Sequence, residues 1–256
     1  MRSALVRRSV LTASAVSLAL LATACGADKA DTKADAKPSA PAATSAAPAA
    51  KGKTDAELAK VLLAQADLAD HTFKAADPAE STAGAASTSD KPECKVLVQA
   101  QSFTPAGAPA GTARTKVVAN PKAPAEGASE EEKAKAILGA LGSTATALTL
   151  ASYDGKGAEE AFAAVKTASQ KCAGGYSANL GSDTGKISKV TPGAAVTGGD
   201  EALALTVEGE ADGDKLTTQL VFVRKGNTVA TFSALSLSGT AEQPKAVIDA
   251  QVKKLG

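Results

Sequence analysis

Among the residue types that could carry covalent or acid–base chemistry, this sequence has only three cysteines and one histidine. The cysteines are Cys25, Cys94 and Cys172, and none of them has another cysteine or a histidine beside it. A structural zinc site needs four such ligands, and a cysteine nucleophile needs an adjacent base. The spacing therefore predicts neither a metal site nor a thiol enzyme, and each cysteine needs a separate explanation.

Cys25 stands where a short apolar segment ends and a polar segment begins. Three arginines precede the apolar run of residues 10–22, which at about 13 residues is too short to span a bilayer. This order of basic, apolar and small residues is typical of a bacterial export signal. The sequence "LATAC" resembles a lipobox, with Ala22 where the usual pattern has leucine.

The lipobox resemblance implies a diacylglycerol thioether on Cys25 and cleavage just before it. The alternative is a plain secretory signal in which the cysteine is coincidental. Loss of residues 1–24 would remove three arginines and no acidic residue, so the net charge would fall from +1 to −2. Anionic lipid would not attract such a chain, and the acyl chains would hold it to the membrane. We therefore expect an exported protein, lipid-anchored to the outer face of the cytoplasmic membrane.

Residues 25–54 are predicted to be a disordered tether rich in Ala, Pro, Lys and Asp. No Val, Leu, Ile, Met, Phe or Tyr occurs from Gly26 to Glu57, and this composition cannot bury enough surface to offset the entropy of ordering. An alanine-rich helix is the alternative, and three prolines disfavour it. The predicted organisation is a signal peptide at 1–24, this tether, and one folded domain at 55–256.

Cys94 and Cys172 remain once Cys25 is assigned to lipid. In a chain exported to an oxidising compartment, a disulfide between them is the expected outcome. In the chain-entropy model, a disulfide that closes such a long loop stabilises the folded state by roughly 4–4.5 kcal/mol. A free reactive thiol or a metal pair is the alternative, and both lack the neighbouring residues that they would need.

His71, in "ADHTFK", is the residue on which any Ser-His-Asp or Cys-His arrangement would depend. Its place after the first predicted helix indicates a surface residue. The sequence "GKGAEE" at 155–160 follows a strand and opens a helix as a dinucleotide loop does, but Glu160 puts a negative charge where a pyrophosphate would lie. Tyr153 and Tyr176 could line a site or be structural. The sequence therefore predicts no enzyme, catalytic residue, metal or cofactor, and it identifies no ligand-binding residue.

The composition disfavours a nucleic-acid partner and leaves few aromatic residues for the core. Acidic and basic residues are interspersed at a net charge of +1, so no basic face for nucleic acid is predicted. Aromatic residues are only 3% of the chain, and the predicted core anchors are the five phenylalanines, Phe73, Phe103, Phe162, Phe222 and Phe232.

The helices and strands that position these residues can be predicted from helix-capping signals and hydrophobic periodicity. A capping box at Thr54 and Glu57 opens a helix that reaches Leu68, and residues 76–92 form a polar loop. Further helices are predicted at 94–103 (ambiguous with a strand), 129–142, 157–172 and 242–256. Strands are predicted at 113–119, 143–153, 186–191 and 201–210, and on both sides of a Gly226-Asn227 hairpin turn. This order predicts a single α+β domain, a twisted and mainly antiparallel sheet packed by helices.

Three segments carry a family resemblance, "ALTLASYDGKGAEEAFAAVKTASQKCAGGYSA", "GDEALALTVEGE" and "VFVRKGNTVATFSAL". They are similar to actinobacterial sensor-domain lipoproteins, which are related to the extracellular sensor domain of the mycobacterial kinase PknH. The resemblance covers roughly residues 55–256. It implies a twisted sheet with helices on its faces, a cleft, and binding rather than catalysis.

The expected function is that of a membrane-anchored extracytoplasmic lipoprotein with a non-catalytic ligand-binding or sensor-like domain. Its ligand would be a small molecule, a lipid or a component of the cell envelope. The alternative is a carrier that shields a lipid or glycolipid, and a structural envelope partner and an enzyme are more distant possibilities. A carrier should contain a dry cavity lined by Leu and Val, whereas a binding module should have a smaller and more polar cleft.

Overall fold

A computed structural model describes residues 50–121, 124–134, 143–180, 183–211, 213–236 and 240–256. The predicted signal peptide, the predicted lipidation site Cys25 and the predicted tether up to residue 49 lie outside these ranges. The described residues form nine strands and six helices. No helix among them is long and apolar enough to cross a membrane.

The strands are β1 (His71–Ala75), β2 (Thr88–Ser89), β3 (Gly111–Ala119), β4 (Thr144–Ser152), β5 (Tyr176–Leu180), β6 (Asp183–Pro192), β7 (Glu201–Ala211), β8 (Asp214–Lys225) and β9 (Thr228–Ser236). The helices are α1 (Asp55–Val61), α2 (Pro78–Ala86), α3 (Lys95–Ala100), α4 (described from 130 to 134), α5 (Gly157–Lys171) and α6 (Lys245–Leu255). A 3-10 turn at Pro92–Cys94 leads into α3.

All nine strands join one sheet in the order β1-β3-β4-β9-β8-β7-β6-β5-β2, and every neighbouring pair of these named strands is antiparallel. This confirms the predicted α+β class. The predicted hairpin is present as well, because Lys225 pairs with Thr228 across a two-residue loop. Gly226 in that loop has a φ of 56°, a conformation that glycine adopts without strain.

The central strands are buried on both faces, because helices cover each side of the sheet. Along β8, Leu220 and Phe222 pack with the cluster under α3 and α5, whereas Val221 and Val223 pack with the cluster under α1 and α6. Four of the five predicted aromatic anchors are at most 4% exposed, and Phe73 is partly buried. The domain is therefore a three-layer structure with the sheet in the middle.

Cys94 and Cys172 form a disulfide that joins the start of α3 to the end of α5. Both cysteines are fully buried in the same apolar cluster. The bridge spans 78 residues of sequence and ties two helices to one face of the sheet.

Residues 50–53 already belong to the folded unit, although the predicted tether extends to residue 54. The backbone N–H of Gly52 donates to Asp154 Oδ1 (2.7 Å), and that of Lys53 donates to Ser152 Oγ (2.9 Å). The side-chain amide of Asn227 donates to the carbonyl of Lys51 (2.6 Å). The chain thus enters the domain at the end of β4 where Ser152 lies.

The first helix is shorter than predicted. The capping box is present, but α1 ends at Val61 and not near Leu68. The fully buried side chain of Gln251 on α6 accepts from the N–H of Leu63 (3.0 Å) and donates to the carbonyl of Val61 (2.8 Å). These tertiary hydrogen bonds replace the next turn of helix.

The polar segment 76–92 was predicted to be a loop, and that prediction is wrong. It contains α2, whose N-cap is Asp77 with Pro78 at the first helical position, and the short strand β2. The Asp–Pro pair is a helix-start signal, but the alanine-rich sequence behind it has no apolar periodicity that would reveal a helix.

Candidate functional site

A cleft of about 470 Å³ opens at the end of the sheet where β1 and β4 begin and β3 ends. Antiparallel pairing brings these ends together, because His71 pairs with Ala119 and Val118 pairs with Ala145. The start of α6 and the residues before it close the other side. The lining residues are His71, Val117, Ala119, Ser143, Thr144, Thr146, Thr240, Glu242, Gln243, Pro244, Lys245, Ala246 and Val247.

His71 lines this cleft and is only 8% exposed, so its predicted surface position is wrong. It is the first residue of β1, and its carbonyl accepts a hydrogen bond from the side chain of Gln65 (2.7 Å). Its Nδ1 lies 2.7 Å from Asp70 Oδ1, and this hydrogen bond lowers the pKa of Asp70. The ionised carboxylate thus fixes the orientation of the imidazole.

Threonine and serine hydroxyls account for much of the polar lining. Thr146 on β4 is only 2% exposed, and Thr144 lies two residues away on the same face of the strand. Val117 and Val247 contribute buried apolar surface. The cleft therefore combines a small apolar floor with hydroxyl groups and one imidazole.

Two exposed charges, Glu242 and Lys245, lie along the α6 side of the cleft. Lys245 Nζ is 3.8 Å from Asp249 Oδ2, an exposed pair one helical turn apart, which contributes little to stability. Neither charge is committed to a buried ion pair, so both remain accessible to a ligand.

Asp70 and His71 have the geometry of an orienting carboxylate and an imidazole base, as in hydrolytic triads. No hydroxyl among the described residues hydrogen bonds to His71 Nε2. The contact between nucleophile and base that defines such a triad is therefore not made in this part of the chain. The arrangement is suited to binding a polar group.

Tyr153 and Tyr176 are core residues, each at most 4% exposed, and burial raises the pKa of both hydroxyls. The Tyr153 hydroxyl donates to the carbonyl of Ala106 (2.6 Å). Tyr153 also borders a small space of about 10 Å³ between the helices and the sheet. That volume holds about one water molecule.

The glycine-rich segment after β4 is a turn. Gly155 has a φ of 56°, and its N–H donates to the carbonyl of Ala50 (2.8 Å). Glu159 and Glu160 lie in the first turn of α5, where negative charge is favourable.

Sequence reasoning identified neither His71 nor Thr146 as a cleft residue. The alternation in "STATALTLASY" indicates which residues of β4 share a face. It does not indicate that β1 and the start of α6, which lie far away in sequence, meet the end of that face.

Comparison with known proteins assigns no family to this chain. No protein-family model matches the chain, and no curated protein matches it. Among solved structures, the chain is similar to the crystal structure of the extracellular domain of PknH from Mycobacterium tuberculosis, with 15% sequence identity and a TM-score of 0.44. The match covers 80% of this chain and 97% of that domain. No residue role is transferred from it.

Proposed function

We propose that this chain is a lipid-anchored extracytoplasmic lipoprotein whose folded domain binds a small polar ligand without converting it. The observation that carries the binding role is the cleft of about 470 Å³ in which a buried imidazole and a buried hydroxyl meet the start of a helix. Pockets of this size accommodate small molecules. Enclosed polar atoms of this kind favour a ligand that forms hydrogen bonds.

The anchoring part of the proposal is supported by the sequence of residues 1–25. The basic start, the short apolar run and the small residues before Cys25 are the features that lipoprotein processing requires. The buried disulfide between Cys94 and Cys172 is compatible with export, because such bonds persist in oxidising compartments.

The dimensions of the apolar space favour this proposal over a lipid carrier. An acyl chain needs an elongated dry cavity, whereas the space under α3 and α5 has a volume of about 10 Å³. The cleft beside α6 is open and lined by hydroxyls. We therefore expect a ligand that is polar and small.

Native mass spectrometry of the full chain isolated from its own host tests the binding role. We expect a bound polar molecule that Thr146→Val removes. Thr149→Val is the matched control, because Thr149 is equally buried on β4 but points to the opposite face of the sheet. A co-purified lipid that neither variant affects would contradict the proposal and favour the carrier.

A further inference from the structure

The N-terminal end of α6 forms one wall of the cleft and has no capping side chain. Pro244 occupies the cap position, and its carbonyl accepts from the N–H of Ile248 (3.0 Å). Ala246 and Val247 belong to the first turn and line the cleft. Backbone N–H groups at these positions have no acceptor within the helix. Together with the aligned peptide dipoles, they attract a negatively charged group.

Two buried polar side chains in the same cleft are a second and independent observation. Thr146 is 2% exposed, and among the described residues its hydroxyl has no hydrogen-bond partner. His71 is 8% exposed, and its Nε2 also has no partner in this part of the chain. Both side chains line the cleft. Within the described part of the chain, these two atoms can therefore form hydrogen bonds with a group that enters the cleft.

Among the described residues, few charged groups lie around His71 in the cleft. Asp70 bonds to its Nδ1, and Glu242 and Lys245 line the cleft from the α6 side. The lining residues of β3 and β4 are uncharged. Lys245 therefore adds positive charge next to the helix end, whereas Glu242 is the carboxylate that would oppose an anion.

We propose that this cleft binds a phosphate group, either free or as a monoester. The proposal specifies the chemistry of the ligand-binding function proposed above and rests on it. The N–H groups of Ala246 and Val247 and the hydroxyl of Thr146 donate to phosphate oxygens. Lys245 supplies a neutralising charge at the rim.

His71 makes phosphate a better match than other oxyanions. In the tautomer whose Nδ1–H donates to Asp70, Nε2 is a hydrogen-bond acceptor. A phosphate monoester has a second pKa of about 6 and so retains a proton part of the time near neutral pH. In its protonated form it can donate that proton to Nε2 of this tautomer. Sulfate and simple carboxylates carry no proton at neutral pH and cannot donate.

Calorimetric titration of the full chain with inorganic phosphate and with sulfate tests this proposal. We expect phosphate to bind and sulfate to bind at least about tenfold more weakly, a difference typical of one lost hydrogen bond. Thr146→Val should weaken phosphate binding by about tenfold for the same reason. Equal affinity for the two anions, with no effect of Thr146→Val, would overturn the proposal.

Two charge variants keep the test valid even if Thr146→Val disturbs the fold, because both change exposed residues. Glu242→Gln removes the opposing carboxylate and should tighten phosphate binding several-fold, whereas Lys245→Gln should weaken it several-fold. Lys253→Gln is the matched control for Lys245→Gln, with the same charge change at the other end of α6. A result in which Lys245→Gln and Lys253→Gln behave alike would contradict a site at the helix start.

Two further probes distinguish a soluble phosphate monoester from a lipid headgroup. They are glycerol phosphate, and phosphatidylcholine vesicles with and without phosphatidic acid. Binding of glycerol phosphate identifies a soluble monoester, whereas binding only to the phosphatidic acid vesicles identifies a lipid headgroup, and each result supports the phosphate site. A native ligand that depends on Thr146 but contains no phosphate would refute the phosphate proposal and leave the binding role intact. Absence of any ligand that depends on Thr146 would refute both.

Discussion

Cys94 and Cys172 show how a residue-scale prediction can come from chemistry alone. When Cys25 is assigned to the predicted lipid attachment, two cysteines remain in a chain predicted to be exported, and the structure joins them. Cys94 starts α3 and Cys172 follows α5, so the bond fastens two helices that pack on the same face of the sheet. A domain with few aromatic residues gains stability from such a cross-link.

Replacement of both cysteines, in a Cys94→Ala and Cys172→Ala double variant, should lower the free energy of unfolding by roughly 4 kcal/mol. Urea unfolding under non-reducing conditions measures this difference. The wild-type chain in the presence of a reductant is the control. Breaking the disulfide should remove most of this difference in the free energy of unfolding. Two free thiols in the denatured, unreduced wild type, assigned to these positions, would refute the bridge.

His71 and Thr146 show what sequence cannot predict at the same scale. The types of these residues are compatible with either a surface or a site, and their burial depends on the pairing of β1 with β3 and of β3 with β4. Those pairings join segments separated by dozens of residues. Capping boxes and the Gly226-Asn227 turn are local signals, and for that reason the sequence identifies them correctly.

At the scale of elements, the segment before α1 is held by the start of β3. A Cβ atom at Gly111 would lie 2.7 Å from the backbone N of Asp55 and would also clash with the carbonyl oxygen of Lys53. The N–H of Thr112 next to it donates to Asp55 Oδ1 (2.6 Å). A glycine at the first residue of β3 therefore allows the N-terminal segment to approach the strand closely.

Gly111→Ala should destabilise the domain by about 1–3 kcal/mol, because the backbone of residues 53–55 must shift. Hydrogen exchange should show faster exchange at the amides of Gly52 and Lys53, whose hydrogen bonds to Asp154 and Ser152 depend on that position. Gly174→Ala is the matched control, since a Cβ there meets no atom within 4 Å. Equal protection of these two amides in both variants would contradict the close approach.

The element-level predictions differ in accuracy for a physical reason. Strands β8 and β9 and helix α5 have strong periodicity and clear ends, so they are found where the sequence predicts them. Helix α1 is cut short by Gln251 of α6, and α2 has too little apolar surface to produce a pattern. Elements whose ends are set by distant residues are the ones that local patterns misplace.

At the scale of the whole molecule, attachment and binding are assigned to different parts of the chain. The proposed attachment point is Cys25, whereas the cleft is formed by residues between His71 and Val247. The two functions can therefore be separated by mutation.

Cys25→Ala should leave unprocessed or unanchored protein in the host, because no thiol remains to accept the diacylglycerol group. Membrane fractionation and the mass of the N-terminal peptide measure this effect. Cys25→Ala should retain the ligand affinity of the wild-type chain, which serves as an internal control for folding. Unchanged processing and membrane retention would contradict the lipoprotein assignment.

The position of residues 50–53 has a mechanical consequence. They meet the domain beside Ser152, and the cleft begins at Thr144 at the opposite end of β4. Eight residue steps along an extended strand place these points about 27 Å apart. A pulling force transmitted through the chain before residue 50 would first load the hydrogen bonds that the carbonyls of Ala50 and Lys51 accept from Gly155 and Asn227. Tension on the N-terminal segment therefore acts at one end of β4, and a ligand in the cleft acts at the other end.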